Sequence, residues 1–532
     1  MQAVRPSPTS WRALLLGSQA LTLTVALAGC ASLPHELPAP VAEVHARSGV
    51  PLSSLAVVAF PLDHPSRGLR LNADQPMQGA STMKLITAAA ALDQLGPNSR
   101  GRTELLVEGD PTAPATTPAP EGRLSTPLYL KGGADADLDW PALWFMLREL
   151  RERQGVKDLD GGVVVDRTMF RPDRPELGAP DFDEQPEFPY NVIPDALNLN
   201  GSLLSFDLRA DRQGLEMRPF PMFGGLQMDA QGMRLVEQPC KDWDDHWRLP
   251  QVQMQPQPQP QPQAQAQPQP QPVLPSHIGP PRPPVAPPAM ATPPTAHVQL
   301  RGAFPVDCQV RQSLNLVDRQ WLTAQALRQL WTSLGGTLNG EIREGQTPAQ
   351  ARVLVRHQDR PLAELLRPVL KASDNATTRL IFQRLGAAAA QPGEDTLMAA
   401  QRSVKSWLST QGIDPSDVVL ENGAGLSRVE RISAAKMAAL LQVVQRGAHG
   451  PELLATLPVA GVDGTLARRF KGGAAEGRAR MKTGTLRDVV ALAGYVPDAS
   501  GHLWVVVAVI NDARASSARG TLDALVNWVA TQ

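Results

Sequence analysis

The 532 residues suffice for two or three domains, and 42% apolar content supplies ordinary cores. With 51 Lys and Arg against 52 Asp and Glu the formal net charge is −1, which gives no electrostatic footprint for nucleic acid. Nine scattered His and three Cys form no H-E-x-x-H or C-x-x-C spacing, which argues against a zinc peptidase; no metal or cofactor is expected.

The first 30 residues read as a targeting segment. Arg5 and Arg12 form a basic start, Ala13 to Leu27 an apolar stretch too short to span a bilayer comfortably, and Leu27-Ala28-Gly29-Cys30 closes it. That tetrapeptide resembles the lipobox of bacterial lipoproteins, which implies a lipidated Cys30; an ordinary secretory signal cut near Ala31 is the other reading. Either leader implies export to the periplasm or cell envelope, and a lipid on Cys30 would make the membrane a partner. Ala31 after Cys30 points to the outer membrane where the cell has one.

Residues 31 to about 50 read as a tether. Leu55 to Phe60 then reads as a buried strand, and Gly68 to Asn72 as its hairpin partner. Residues 79–96 predict one helix, with Ser81 at its start, an Ala- and Leu-rich run, and Gly96-Pro97 at its end. Ser81 and Lys84 sit at i and i+3, so they share a face, and a desolvated lysine can accept a serine proton. The pair recurs as Ser433-Ala434-Ala435-Lys436, and either copy taken alone reads first as a helix cap with a snorkelling lysine.

Residues 106–314 change to short strand-like runs, among them Leu128 to Leu130 and Gly162 to Asp166, interrupted by a helix from Trp140 to Gln154. They carry no nucleophile, base or metal motif and read as a structural or substrate-shaping insert. Within them, residues 251–296 are Gln-Pro and Pro-Pro repeats that favour solvated polyproline II. Cys240 and Cys308 bracket this run, and export favours a disulfide between them that would pin its base, with two separate thiols as the alternative.

Helical patterning returns at Arg319 to Leu334, Leu362 to Leu370 and Ala376 to Leu385. Strands follow at about 478–484, 489–496 and 503–510, then a helix over about 521–530. The order predicts an α+β domain formed by residues 31–105 and 315–532, interrupted by the β-rich insert.

Ser81-x-x-Lys84, Ser373-Asp374-Asn375 and Lys482-Thr483-Gly484-Thr485 stand in the order S-x-x-K, S-x-N, K-T-G. That triplet resembles the active-site serine penicillin-recognising enzymes. The Ser433 copy fails, because the Ser373 motif precedes it. Residues 457–466, 421–428, 128–133 and 196–200 are further similar to the D-alanyl-D-alanine carboxypeptidase/endopeptidases, the class C low-molecular-weight penicillin-binding proteins of the peptidase S13 family.

The resemblance implies a β-lactamase/transpeptidase-like fold with an antiparallel sheet flanked by helices. It implies Ser81 as nucleophile, Lys84 as base, Ser373 as proton relay, and Asn375 as holder of Lys84 and the substrate amide. Lys482, Thr483, Gly484 and Thr485 would bind the substrate carboxylate, and the Ser81 and Thr485 N–H groups the oxyanion. The implied partners are peptidoglycan stem peptides and, as covalent inhibitors, β-lactams. The sequence departs from the family at Arg379, where an acidic residue is common, and at Ala134-Asp135, where Asp-Pro is. A serine β-lactamase and a non-catalytic wall-binding lipoprotein are the rival readings.

Overall fold

A computed structural model describes residues 36–109, 122–255 and 295–532. Cys30 with its leader, and the Pro/Gln repeats over 256–294, lie outside the described residues.

Valine-rich runs at the C-terminal end form the centre of a five-stranded antiparallel sheet. Its order is Arg480–Leu486, Val489–Pro497, Leu503–Asn511, Leu55–Pro61 and Leu69–Leu71. Both faces are covered, so the central strands are apolar throughout. Ala491, Ala493 and Tyr495 face the helices Lys84–Gln94, Leu362–Ala372, Asn375–Ala389, Thr396–Thr410 and Ala434–Arg446. Val490, Leu492 and Val496 face the terminal helices Ala39–Ser48 and Arg519–Ala530. The fold is the expected α+β architecture with a long insert.

The insert is larger than residues 106–314. Its own five-stranded sheet, ordered Ile342–Glu344, Val163–Asp166, Leu128–Gly133, Arg102–Val107 and Arg352–Gln358, takes both of its edge strands from beyond residue 315. The helix Arg319–Ser333 packs Trp321, Leu322 and Trp331 into this second core. The crossings therefore fall near 101 and 359, where Gly101 N–H donates to Asp359 Oδ1 at 2.7 Å and Asp359 N–H to Gly101 O at 3.2 Å. Asp135, at one of the two family departures, is buried beside this crossing, bonded to Thr103 Oγ1 and to the His357 ring.

The run 251–296 is shorter than expected at both ends: the strand Trp247–Gln255 continues to its edge and Thr295–Pro305 begins at its exit. Cys240 and Cys308 are joined, but not at its base. Gln255 pairs with Thr295 at one end of the ladder, whereas the cysteines lie past Val236 and Pro305 at the other. Eleven extended residues separate these ends, about 35 Å of strand.

Candidate active site

Ser81 lies on a 3-10 turn, Ala80–Met83, and the α-helix proper is Lys84–Gln94, which corrects the single helix over 79–96. Ser81 makes no capping bond there; instead Thr82 Oγ1 donates to Gly79 O at 2.7 Å. In a 3-10 turn positions i and i+3 eclipse. Lys84 Nζ accordingly meets Ser81 Oγ at 3.0 Å.

Ser373 ends the helix Leu362–Ala372 in the left-handed region, φ 61°. Asp374 then caps the next helix by accepting the Thr377 N–H at 3.1 Å. A non-glycine residue in that conformation is strained and persists where its surroundings hold it. Here the reversal aims the two polar groups at the two lysines: Asn375 Oδ1 accepts from Lys84 Nζ at 2.5 Å, and Ser373 Oγ from Lys482 Nζ at 2.8 Å. Residues 457–466 brace this corner. Lys371 Nζ reaches Asp463 Oδ2 at 2.5 Å and Leu457 O at 3.0 Å, and Thr465 Oγ1 lies 2.8 Å from Thr483 Oγ1.

Lys482, Thr483, Gly484 and Thr485 lie on the edge strand Arg480–Leu486, beside the serine turn. A Cβ on Gly484 would stand 2.5 Å from Gly79 O, so only glycine lets the strand approach this closely. Ser81, Ser373, Asn375 and Thr485 line one cleft of about 400 Å³. The insert supplies its far wall: Phe182 and Tyr190 line it, Arg428 stacks 4.7 Å from the Phe182 ring centroid, and Tyr190 O accepts from Asn375 Nδ2 at 3.1 Å.

Both lysines are fully buried. Burial lowers the Lys84 pKa to about 7; Glu430 and Asp374 oppose this, and the nearby Arg379 charge adds to it. Lys482 is held well below the usual lysine range by burial first and by the Lys84 charge second. The cation that assists burial at Lys84 is thus Arg379. Arg379, the other family departure, donates from Nη1 to Asn191 O at 2.8 Å and Val192 O at 3.0 Å, holding the chain beside Tyr190.

One charged residue escaped sequence reading. Glu430 is buried and accepts the N–H groups of Glu421, Asn422, Gly423 and Gly425 at 2.8 to 2.9 Å. This coils the turn so that Ala424 O accepts from Lys84 Nζ. Gly425, φ 77°, is required because a Cβ there would stand 1.9 Å from Ala80 O. An acid five residues past a glycine-rich run was the available signal. The Ser433 copy is a cap: Ser433 Oγ accepts the Lys436 N–H at 3.2 Å, and Lys436 Nζ pairs with Asp417.

A serine hydroxyl held by a buried lysine, with a second buried lysine on the neighbouring sheet edge, is an arrangement suited to a serine enzyme of the acyl-transfer type. Sequence comparison narrows the class. The model of the D-Ala-D-Ala carboxypeptidase 3 (S13) family matches residues 39–220 and 285–532, and the chain belongs to that family of peptidases.

A D-alanyl-D-alanine carboxypeptidase of an Actinomadura species is 28% identical over 438 residues, 80% of this chain and 71% of the relative. The D-alanyl-D-alanine carboxypeptidase DacB of Haemophilus influenzae is 25% identical over 445 residues, 82% of this chain and 80% of the relative. The crystal structure of penicillin binding protein 4 from Haemophilus influenzae superposes with TM-score 0.67 at 22% identity, covering 92% of this chain and 99% of that one, which establishes the shared fold.

Proposed function

We propose that the protein is a serine-type peptidase of peptidoglycan stem peptides that removes the terminal D-alanine, cleaves D-alanyl cross-links, or does both. The observation that carries the reading is the 3.0 Å contact between Ser81 Oγ and a Lys84 Nζ whose pKa is lowered to about 7.

In this reading neutral Lys84 takes the Ser81 proton as Oγ attacks the carbonyl between two D-alanines. A tetrahedral oxyanion forms against the Ser81 and Thr485 N–H groups, where one lost donor costs about 3 to 4 kcal/mol of transition-state stabilisation. Ser373 passes a proton to the leaving amine, and Asn375 holds Lys84 and the substrate amide. Lys482 becomes cationic when the terminal carboxylate arrives, because an anion stabilises a buried ammonium. Thr483 and Thr485 complete that carboxylate site on the Gly484 strand. Water then releases the acyl group. A β-lactam, whose carboxylate and strained amide mimic the dipeptide, stops at the ester.

Export, and tethering through a lipid on Cys30, belong to the same proposal. Incorporation of labelled palmitate that disappears in Cys30→Ala tests the tether.

The test of activity is intact-protein mass after brief benzylpenicillin exposure of wild type and Ser81→Ala, followed by D-alanine release from a muropeptide. A persistent single adduct absent from the variant, with D-alanine released, is the expected result. Rapid drug hydrolysis would make the protein a β-lactamase, and no adduct with no turnover would leave a wall-binding lipoprotein.

A further inference from the structure

Three arginines meet on one of the insert's three-stranded sheets, ordered Leu226–Val236, Thr295–Pro305, Trp247–Gln255. Arg248 stands directly opposite Arg301, and Gly232 is the partner of Arg301 on its other side. Arg234, two residues beyond Gly232, shares that face by strand alternation. With His246 they line an open cavity of about 530 Å³. Like charges directly opposite on a sheet destabilise it. Among the described residues none of the three guanidiniums has a carboxylate within 4.0 Å, and Asp245, which also lines the cavity, pairs with none of them. Arg234, His246 and Arg248 fall in residues 221–284, between the two segments that the family model matches.

We propose that this cluster is a docking surface for the peptidoglycan polymer, which it grips through the free carboxylates of stem peptides other than the one being cleaved. This rests on the functional reading above. Charge complementarity and shape argue for that occupant: the guanidinium fork matches a carboxylate with two parallel hydrogen bonds, and the polymer repeats that anion. The catalytic cleft of about 400 Å³ admits only a short length of chain. A second grip on the same polymer raises the effective concentration of scissile bonds without changing the cleft. Being exposed, the arginines give an attraction that salt weakens.

The experiment is co-sedimentation with purified sacculi, in a Ser81→Ala background to prevent digestion, with and without R234Q/R248Q/R301Q. The triple variant is expected to bind about tenfold more weakly at low salt, the size that three exposed ion pairs supply together. R234K/R248K/R301K should recover part of that loss. With Ser81 present, the triple variant should release D-alanine from a soluble pentapeptide at the parent rate and take up benzylpenicillin equally, which shows that it folds. Equal sedimentation of parent and triple variant overturns the proposal, as does tighter binding of the parent to vesicles containing anionic phospholipid than to sacculi. A Ser81-containing parent that neither takes up benzylpenicillin nor cleaves a soluble pentapeptide or cross-linked dimer defeats the functional reading first, and this inference with it.

Discussion

The carboxylate of Glu430 and the ammonium of Lys84 hold the same turn from its two sides: Glu430 gathers its N–H groups, and Lys84 donates to its Ala424 carbonyl. The glycine-rich turn is therefore a spacer that keeps the buried Glu430 carboxylate near Lys84 without direct contact. Its charge favours protonated Lys84. Glu430→Gln should lower the Lys84 pKa further and move the acidic limb of kcat/KM to lower pH. It should also cost about 1 to 3 kcal/mol of stability, because an amide NH2 would face backbone donors. A pH profile with a urea titration checks both, and an unmoved acidic limb would show that the charge does not reach Lys84.

Arg379 should act with the opposite sign. Its charge disfavours protonated Lys84, so Arg379→Gln should move the acidic limb to higher pH. The same change removes donors from Asn191 O and Val192 O, which should raise KM for peptide through the Tyr190 wall. Arg379→Lys keeps the charge but not the fork, so it should restore the pH profile more than KM. Parallel recovery of both would mean the residue acts only as a brace.

For the wild type, kcat/KM should climb through about pH 7 as Lys84 loses its proton. The sign for stability follows from proton counting. Between about pH 7 and the ordinary lysine value of 10.5, the unfolded chain holds a proton that the folded site has released. This group therefore makes stability rise with pH across that window and has no such effect below it. Lys84→Met should abolish activity, and its stability deficit relative to wild type should widen from pH 7 to pH 10 in matched denaturant titrations.

That the three motifs come together was legible because each has one backbone setting: Ser81 a turn, Ser373 a helix end, Lys482 a strand. The sheet was legible because strands buried on both faces, such as Val489–Pro497, are apolar without interruption. What stayed hidden depends on contacts distant in sequence. Nothing local in Arg352–Gln358 says that it pairs with Arg102–Val107, so the insert's limits were misplaced. The Tyr190 carbonyl is a backbone atom and leaves no residue-type signal at all. Arg379 was noticed as an oddity, but its effect on Lys84 required the fold.

The second S-x-x-K copy gives a control. Ser433→Ala should cost about 1 kcal/mol, the usual worth of a helix cap, and leave benzylpenicillin acylation unchanged. Ser81→Ala should do the reverse, since that hydroxyl caps nothing. Loss of acylation in Ser433→Ala at full folded content would contradict the assignment of the cap.

The disulfide offers a test of how separately the two parts are built. Cys240 and Cys308 lie 68 positions apart and far along the ladder from the Pro/Gln run, so their bond staples the sheet end where Val306 N–H donates to Val236 O at 3.0 Å. On the chain-entropy account a closed loop of this length is worth on the order of 4 kcal/mol. C240S/C308S should therefore unfold the insert at lower denaturant, reported by Trp243 and Trp247, whose rings pack 5.5 Å apart beside the bond. The serine site belongs to the other core, so the acylation rate below that transition should match wild type. If acylation falls in step with the tryptophan signal, the Phe182 and Tyr190 wall depends on the staple, and the insert supports the cleft as a single rigid unit.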